Sequence, residues 1–94
     1  MTSDSHTSLV PLLTSLLILV LVPVAAVAQF SLGVMYSKGR GVPQDYVQAH
    51  MWDNLAAAQD IEDARKGRDK LAEHMTPAQI AEAQRLAREW KPKQ

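Results

Sequence analysis

The sequence predicts an all-α fold: a short helix-hairpin repeat preceded by an N-terminal hydrophobic helix. Three observations predict it. Apolar residues after residue 28 recur at spacings of three and four, glycines and prolines interrupt this pattern at short intervals, and the chain opens with a long uncharged stretch. β-branched residues are sparse after Val47, so no alternating strand pattern competes with the helices.

The opening stretch, Leu9 to Ala28, contains no charge and at about 1.5 Å per residue could cross a hydrocarbon core of about 30 Å. Its densest apolar run is closed by Pro23 and followed by Ala26 and Ala28, whose small side chains fit a signal-peptidase site. No Lys or Arg precedes the run, although signal peptides usually begin with one.

Three interpretations of residues 1–28 therefore stay open. The favoured one is a cleaved signal peptide, which predicts export to the periplasm or the exterior. The second is a single-pass membrane anchor formed by residues 9–28, and the third is an artefactual or rearranged gene start. We expect the folded part to begin near Gln29.

The first two predicted helices form a hairpin. The first runs to about Ser37, and Gly39 and Gly41 supply the positive φ values that a reversing loop needs. Pro43 stops the first helix from continuing, and Asp45 is the predicted N-cap of the second. The inner face of the second helix is predicted to hold the apolar residues Tyr46, Ala49, Trp52 and Ala56.

Two further helices follow. The third is predicted to start at Asp60 as its N-cap, with Gly67 as a weak point or a site of close approach. The fourth has the clearest start, because Thr76 is a good N-cap, Pro77 suits the first helical position and Gln79 completes a capping box. Its inner face is predicted to end at Trp90.

The spacing of these residues resembles the Sel1-like repeat, a bacterial-type relative of the tetratricopeptide repeats. The repeat-defining positions predicted from it are Leu32, Gly33, Tyr36, Gly39, Gly41, Val42, Asp45, Ala49, Trp52, Ala56 and Ala57. Each also has a local rationale: Gly33 and Ala49, for example, would let two antiparallel helices approach closely. The resemblance implies a solenoid of stacked helix hairpins and a role in binding other proteins.

A partial second copy follows the first, because Ala28 and Ala64 stand 36 residues apart and so do Met35 and Leu71. The predicted organisation is therefore a signal or anchor at 1–28, a complete hairpin at 29–59 and a degenerate C-terminal repeat with its capping helix at 60–94. Asp60 departs from the family pattern, which usually has Gly there, so this turn is expected to be strained.

The composition of the chain argues against nucleic-acid binding, catalysis and metal binding. From Gln29 onward the chain carries ten basic and nine acidic side chains, a net charge of +1, which gives no reason to expect nucleic-acid binding. There is no Cys, and the three histidines lack metal-binding spacing; His50 is expected to be a partly exposed helix residue beside Trp52. We therefore predict no catalytic residues, no cofactor site and no metal site.

The leading functional hypothesis is a protein–protein interaction module, a scaffold or adaptor, that is exported or tethered to a membrane. Fewer than two full repeats bury little surface, so docking onto a partner protein or self-association is expected. The alternatives are a small single-pass membrane-anchored structural protein and a remnant of a longer repeat protein. An enzyme is not expected.

Overall fold

A computed structural model describes residues 25–91, and these form four helices with no strand among them. Helix α1 covers residues 25–38, α2 is Tyr46–Ala57, α3 is Glu62–Ala72 and α4 is Pro77–Glu89. The all-α prediction is confirmed for this part of the chain. The predicted N-terminal hydrophobic helix lies, apart from its last residues, outside the described residues.

The loop between α1 and α2 reverses the chain through two glycines. Gly39 and Gly41 have φ values of 66° and 75°, and the backbone N–H of Arg40 donates to the carbonyl of Met35 at 3.0 Å. The N–H of Asp45 donates to the carbonyl of Tyr36, also at 3.0 Å, which ties the loop to the end of α1. The Asp45 carboxylate then caps α2 by accepting from the Gln48 N–H.

The turn between α2 and α3 corrects one sequence prediction. Asp60 does not cap α3, whose N-cap is Ile61 without a side-chain hydrogen bond. Instead, Asp60 has a φ of 67°, the left-handed conformation that glycine adopts at no steric cost. The Ile61 N–H donates to the Ala56 carbonyl and the Asp60 N–H to the Ala57 carbonyl, so this residue ends α2 in a Schellman motif.

Helix α4 begins with the capping box that the sequence predicts. The Gln79 N–H donates to the Thr76 hydroxyl at 3.1 Å, while the Gln79 side-chain oxygen accepts from the Thr76 N–H at 2.9 Å. Pro77 occupies the first helical position, where its missing N–H costs nothing.

Helix α2 lies at the centre of the described fold, and α1, α3 and α4 all pack against it. Helix α2 runs antiparallel to α1 and to α3. The side chain of Gln59, just after α2, donates a hydrogen bond to Gln29 of α1 at 2.6 Å, and Arg68 of α3 donates one to Asn54 of α2 at 2.9 Å. Helices α1 and α3 consequently run parallel to each other. The core between the helices consists mainly of small side chains, and its fully buried members are Ala49, Ala56, Ala64 and Ala83.

The side chains of the two tryptophans, Trp52 and Trp90, contact each other. Their rings are edge to face with centroids 5.8 Å apart, which joins α2 to the end of α4. Trp52 is half-buried, whereas Trp90 is 37% exposed and so does not complete a buried face as the sequence predicted.

Candidate functional site

The parallel helices α1 and α3 leave a groove between them, floored by α2, with a cavity of about 330 Å³. Apolar side chains from both helices form much of its walls, principally Phe30, Val34 and Leu71. Lys38 and Lys70 line one part of the groove and Asp63 another. The floor is formed by two residues of α2, Tyr46 and Asp53.

Asp53 is the unusual member of this site, because it is an acidic side chain only 3% exposed. Its carboxylate is wedged between two glycines on facing helices. A Cβ atom at Gly33 would overlap Oδ1, and one at Gly67 would lie 2.9 Å from Oδ2. The absence of side chains at these two positions therefore creates the space that Asp53 occupies.

Within residues 25–91 no side chain forms a hydrogen bond or an ion pair with the Asp53 carboxylate. Oδ1 is buried and accepts no hydrogen bond. Arg68 is the nearby cation, but its guanidinium donates to Asn54 and Asp69 instead. Burial raises the pKa of Asp53 to about 7, and the opposing effect of Arg68 is smaller. Near neutral pH the carboxyl group of Asp53 is therefore present in both its neutral and its charged form.

His50 is buried as well, at 3% exposure, which corrects the prediction that it is partly exposed. Its Nδ1 has no hydrogen-bond partner. Burial, followed by the charge of Arg68, lowers the pKa of this imidazole, so the neutral form is favoured. His50 does not line the groove, and its role is to fill space within the helix bundle.

The predicted repeat-defining residues fall into three places. Gly39, Gly41, Val42 and Asp45 build the first loop and its cap. Ala49 and Ala56 are fully buried on α2, and a Cβ at Gly33 would stand 3.3 Å from the Ala49 carbonyl oxygen, so the helices are in close contact. The remaining members are half-buried, namely Leu32, Tyr36, Trp52 and Ala57.

Sequence reasoning assigned no role to Asp53, although a signal for it was present. Residues four and three positions away on either side, Ala49 and Ala56, lie on the predicted inner face of α2. Residues at such spacings share one face of a helix, which places Asp53 among buried residues. An acidic residue on a buried face is rarely retained without a reason.

The predicted cleavage site lies inside α1. Ala26 is 2% exposed and Gln29 is 7% exposed, whereas Ala28 faces solvent. A cut after Ala28 would therefore remove the first turn of the described helix together with one buried residue. None of the helices within residues 25–91 has both the length and the apolar content to span a bilayer.

No cluster of three or more potential metal ligands occurs within residues 25–91.

In the comparison with protein families, residues 26–61 match the model described as Sel1 repeat. No match was found among curated proteins or among solved structures.

Proposed function

We propose, from the premise that residues 26–61 of this chain are a Sel1 repeat, that the protein is a non-enzymatic scaffold or adaptor that binds another protein. Sel1 repeats generally mediate protein–protein interactions, and the family is typically not enzymatic. The partner binds in the groove between α1 and α3.

The observation that carries this proposal is the groove itself. It combines apolar walls with a few polar groups, which is the usual composition of a binding site. It also lies between two parallel helices, so both of its walls run in the direction of the helix axes. A partner segment lying along this direction would contact both helices at once.

The small size of the described fold supports a partner too. Its fully buried core side chains are mostly alanines, and each contributes little hydrophobic stabilisation. Repeat proteins generally need three or more stacked units for stability. Binding of another protein to the folded state would supply the missing stabilisation by mass action.

Site-specific photo-cross-linking of the full chain in its native host tests this function. A benzoyl-phenylalanine at Ser37, which lines the groove, should give discrete adducts with another protein. The matched control places the same residue at Ala81, exposed on α4 and away from the groove. Equal adducts from both positions, or adducts only between copies of this chain, would count against the proposed function.

For localisation, we propose that residues 1–28 direct the chain out of the cytoplasm. Cleavage after Ala28 would release the repeat, whereas retention would leave it attached to a membrane as an anchored structural protein. The burial of Ala26 within α1 favours retention, because cleavage would cost a packed residue. The mass of the mature chain and its fractionation separate the two.

A further inference from the structure

We propose that the groove selects its partner through one basic side chain, lysine or arginine, whose head group reaches the carboxylate of Asp53. This inference rests on the proposed function, since both concern the same groove. It adds the chemistry of the partner: a protein segment with a basic residue as its anchor and an acidic residue at a fixed distance from it.

Asp53 presents the groove with a carboxylate whose charge is not compensated. Asp53 is 3% exposed and lines the groove, yet Oδ1 has no hydrogen-bond donor. Among residues 25–91 no salt bridge involves this residue, and Arg68 is directed to Asn54 and Asp69. Oδ1 itself is enclosed against Gly33, so a ligand in the groove would act on the charge of the carboxylate as a whole; a buried charge without a partner is costly, and a cation that compensates it gains more than it would from an exposed acid.

The walls of the groove suit a side chain that has an apolar stem and a charged head. Phe30 and Val34 on one side and Leu71 on the other surround the approach to the floor with apolar surface. Lysine and arginine combine a long aliphatic stem with a charged head. Such a side chain would place its stem against the walls and its head at the floor, whereas an apolar side chain would leave the carboxylate unpaired.

Charge is distributed unevenly along the groove. Asp53 faces Gly67 in the middle of α3, and Asp63 lies about one turn before that glycine, in the first turn of the helix. Lys70 lies in the last turn of α3 and Lys38 ends α1, and because these helices are parallel both lysines lie at the opposite end. Tyr46 and His74, whose ring centroids are 6.3 Å apart, mark that basic end of the floor.

This polarity fixes the direction of the bound segment. Lys70 comes three residues after Gly67 and Lys38 five residues after Gly33, the two glycines that face Asp53, so the lysines start about 5 to 8 Å from the carboxylate along the helix axes. An extended chain covers that distance in about two residues. The expected segment therefore carries a basic residue near Asp53 and an acidic residue about two positions away, near Lys38 and Lys70.

The test begins with a phage-displayed library of random dodecapeptides selected on the full chain. We expect the enriched peptides to share one Arg or Lys and an acidic residue about two positions from it. The strongest peptide is then synthesised with a fluorophore, and its affinity is measured by fluorescence polarisation for the wild type and the variants. Replacing its basic residue with Gln should weaken binding to the wild type at least about tenfold.

The same replacement should change binding to the Asp53→Asn variant less than about twofold, because the acceptor charge is already gone. Glu73→Gln is the matched control, since it removes an exposed acid at the C-cap of α3 that does not line the groove. Lys70→Gln removes an exposed charge and leaves the core unchanged, so this variant should fold normally. It should weaken binding only when the peptide keeps its acidic residue. This second cycle keeps the test decisive if Asp53→Asn does not fold by circular dichroism.

Enriched peptides without a basic residue, or an equal penalty for the Gln peptide on wild type and Asp53→Asn, would overturn the inference. The proposed function would survive those outcomes if the peptide still forms adducts with the chain that carries benzoyl-phenylalanine in place of Ser37. Enrichment of no peptide at all would count against both.

Discussion

The carboxylate of Asp53 occupies the space that a side chain on residue 33 would fill, so Gly33 and Asp53 form a complementary pair across the α1–α2 contact. Gly67 completes the arrangement from α3. Three helices thus meet at one buried acid. The packing of these helices and the polarity of the groove both involve this residue.

We predict that Gly33→Ala destabilises the protein more than Gly67→Ala does. Alanine at position 33 would meet both Asp53 Oδ1 and the Ala49 backbone carbonyl, whereas at position 67 it would meet only a side-chain end. We expect a loss of about 2 kcal/mol or more at position 33. At position 67 the strain is partly offset by the roughly 1 kcal/mol gain in helix propensity. Urea denaturation of both variants measures the difference.

The control is the same Gly33→Ala change in an Asp53→Ala background. Removing the carboxylate should recover part of the loss, which a double-mutant cycle would show as coupling between the two positions. Additive effects of the two changes would contradict the complementary packing of these residues.

We predict that Asp53 makes the protein less stable as the pH rises. Because the folded state raises its pKa from 3.8 to about 7, the folded state binds a proton more tightly than the unfolded state. The associated stability is complete below about pH 4 and is lost by about pH 7, amounting to roughly 4 kcal/mol at most. The lowered pKa of His50 has the opposite sign, since stability from it is lost as the pH falls below about 6.5.

The measurement must therefore isolate Asp53 from His50. The difference in unfolding free energy between wild type and Asp53→Asn, measured from about pH 4 to about pH 8, cancels the histidine contribution. Asp53→Asn should become the relatively more stable protein as the pH rises. A difference that does not vary with pH would mean that the carboxyl titrates normally.

We predict that Asp60→Gly stabilises the chain by about 0.5 to 1 kcal/mol. Asp60 adopts a left-handed conformation that costs an L-residue energy and costs glycine none, although glycine adds entropy to the unfolded state. Asp60→Ala, which lacks the local hydrogen bonding of Asp, should destabilise. Chemical denaturation compares the three proteins, and a less stable Asp60→Gly would show that the aspartate side chain matters more than the backbone.

We predict that Trp52→Ala destabilises more than Trp90→Ala. Trp52 lies on the central helix and is half-buried, whereas Trp90 is 37% exposed at the end of α4. Truncation of a core aromatic costs about 3 to 5 kcal/mol, so Trp52→Ala should leave little folded protein. The edge-to-face pair should also give a coupling of about 1 kcal/mol in a double-mutant cycle. Equal melting temperatures for the single variants would contradict the first expectation.

We predict that the state of the N-terminus decides between a released and an anchored protein. If Ala26 and Ala28 form a processing site, Ala28→Tyr should block cleavage and leave the precursor in the membrane fraction, because the peptidase accepts only small residues there. The exposed position of Ala28 means that this change should not disturb the core. Intact mass and fractionation of both proteins provide the measurement. For an anchor, the wild type already has its full mass and neither property changes.

The features that the sequence predicted well are encoded within a few neighbouring residues. The Thr76–Gln79 capping box, the Asp45 cap and the positive φ of Gly39 and Gly41 depend on backbone geometry and on contacts within about one helical turn. Even the conformation of Asp60 was signalled by the glycine that the resemblance expects there, although its supposed role as the cap of α3 was wrong.

The burial of His50, the exposure of Trp90 and the enclosure of Asp53 between two glycines were decided by the tertiary structure. Each depends on helices that are distant in sequence: α1 and α3 contribute the glycines that enclose Asp53, and the end of α4 leaves Trp90 partly exposed. Periodicity indicates which side of α2 faces inward. It does not show that the two helices facing Asp53 each carry a glycine at the level of its carboxylate. Those two glycines make room for the buried acid and for the groove beside it.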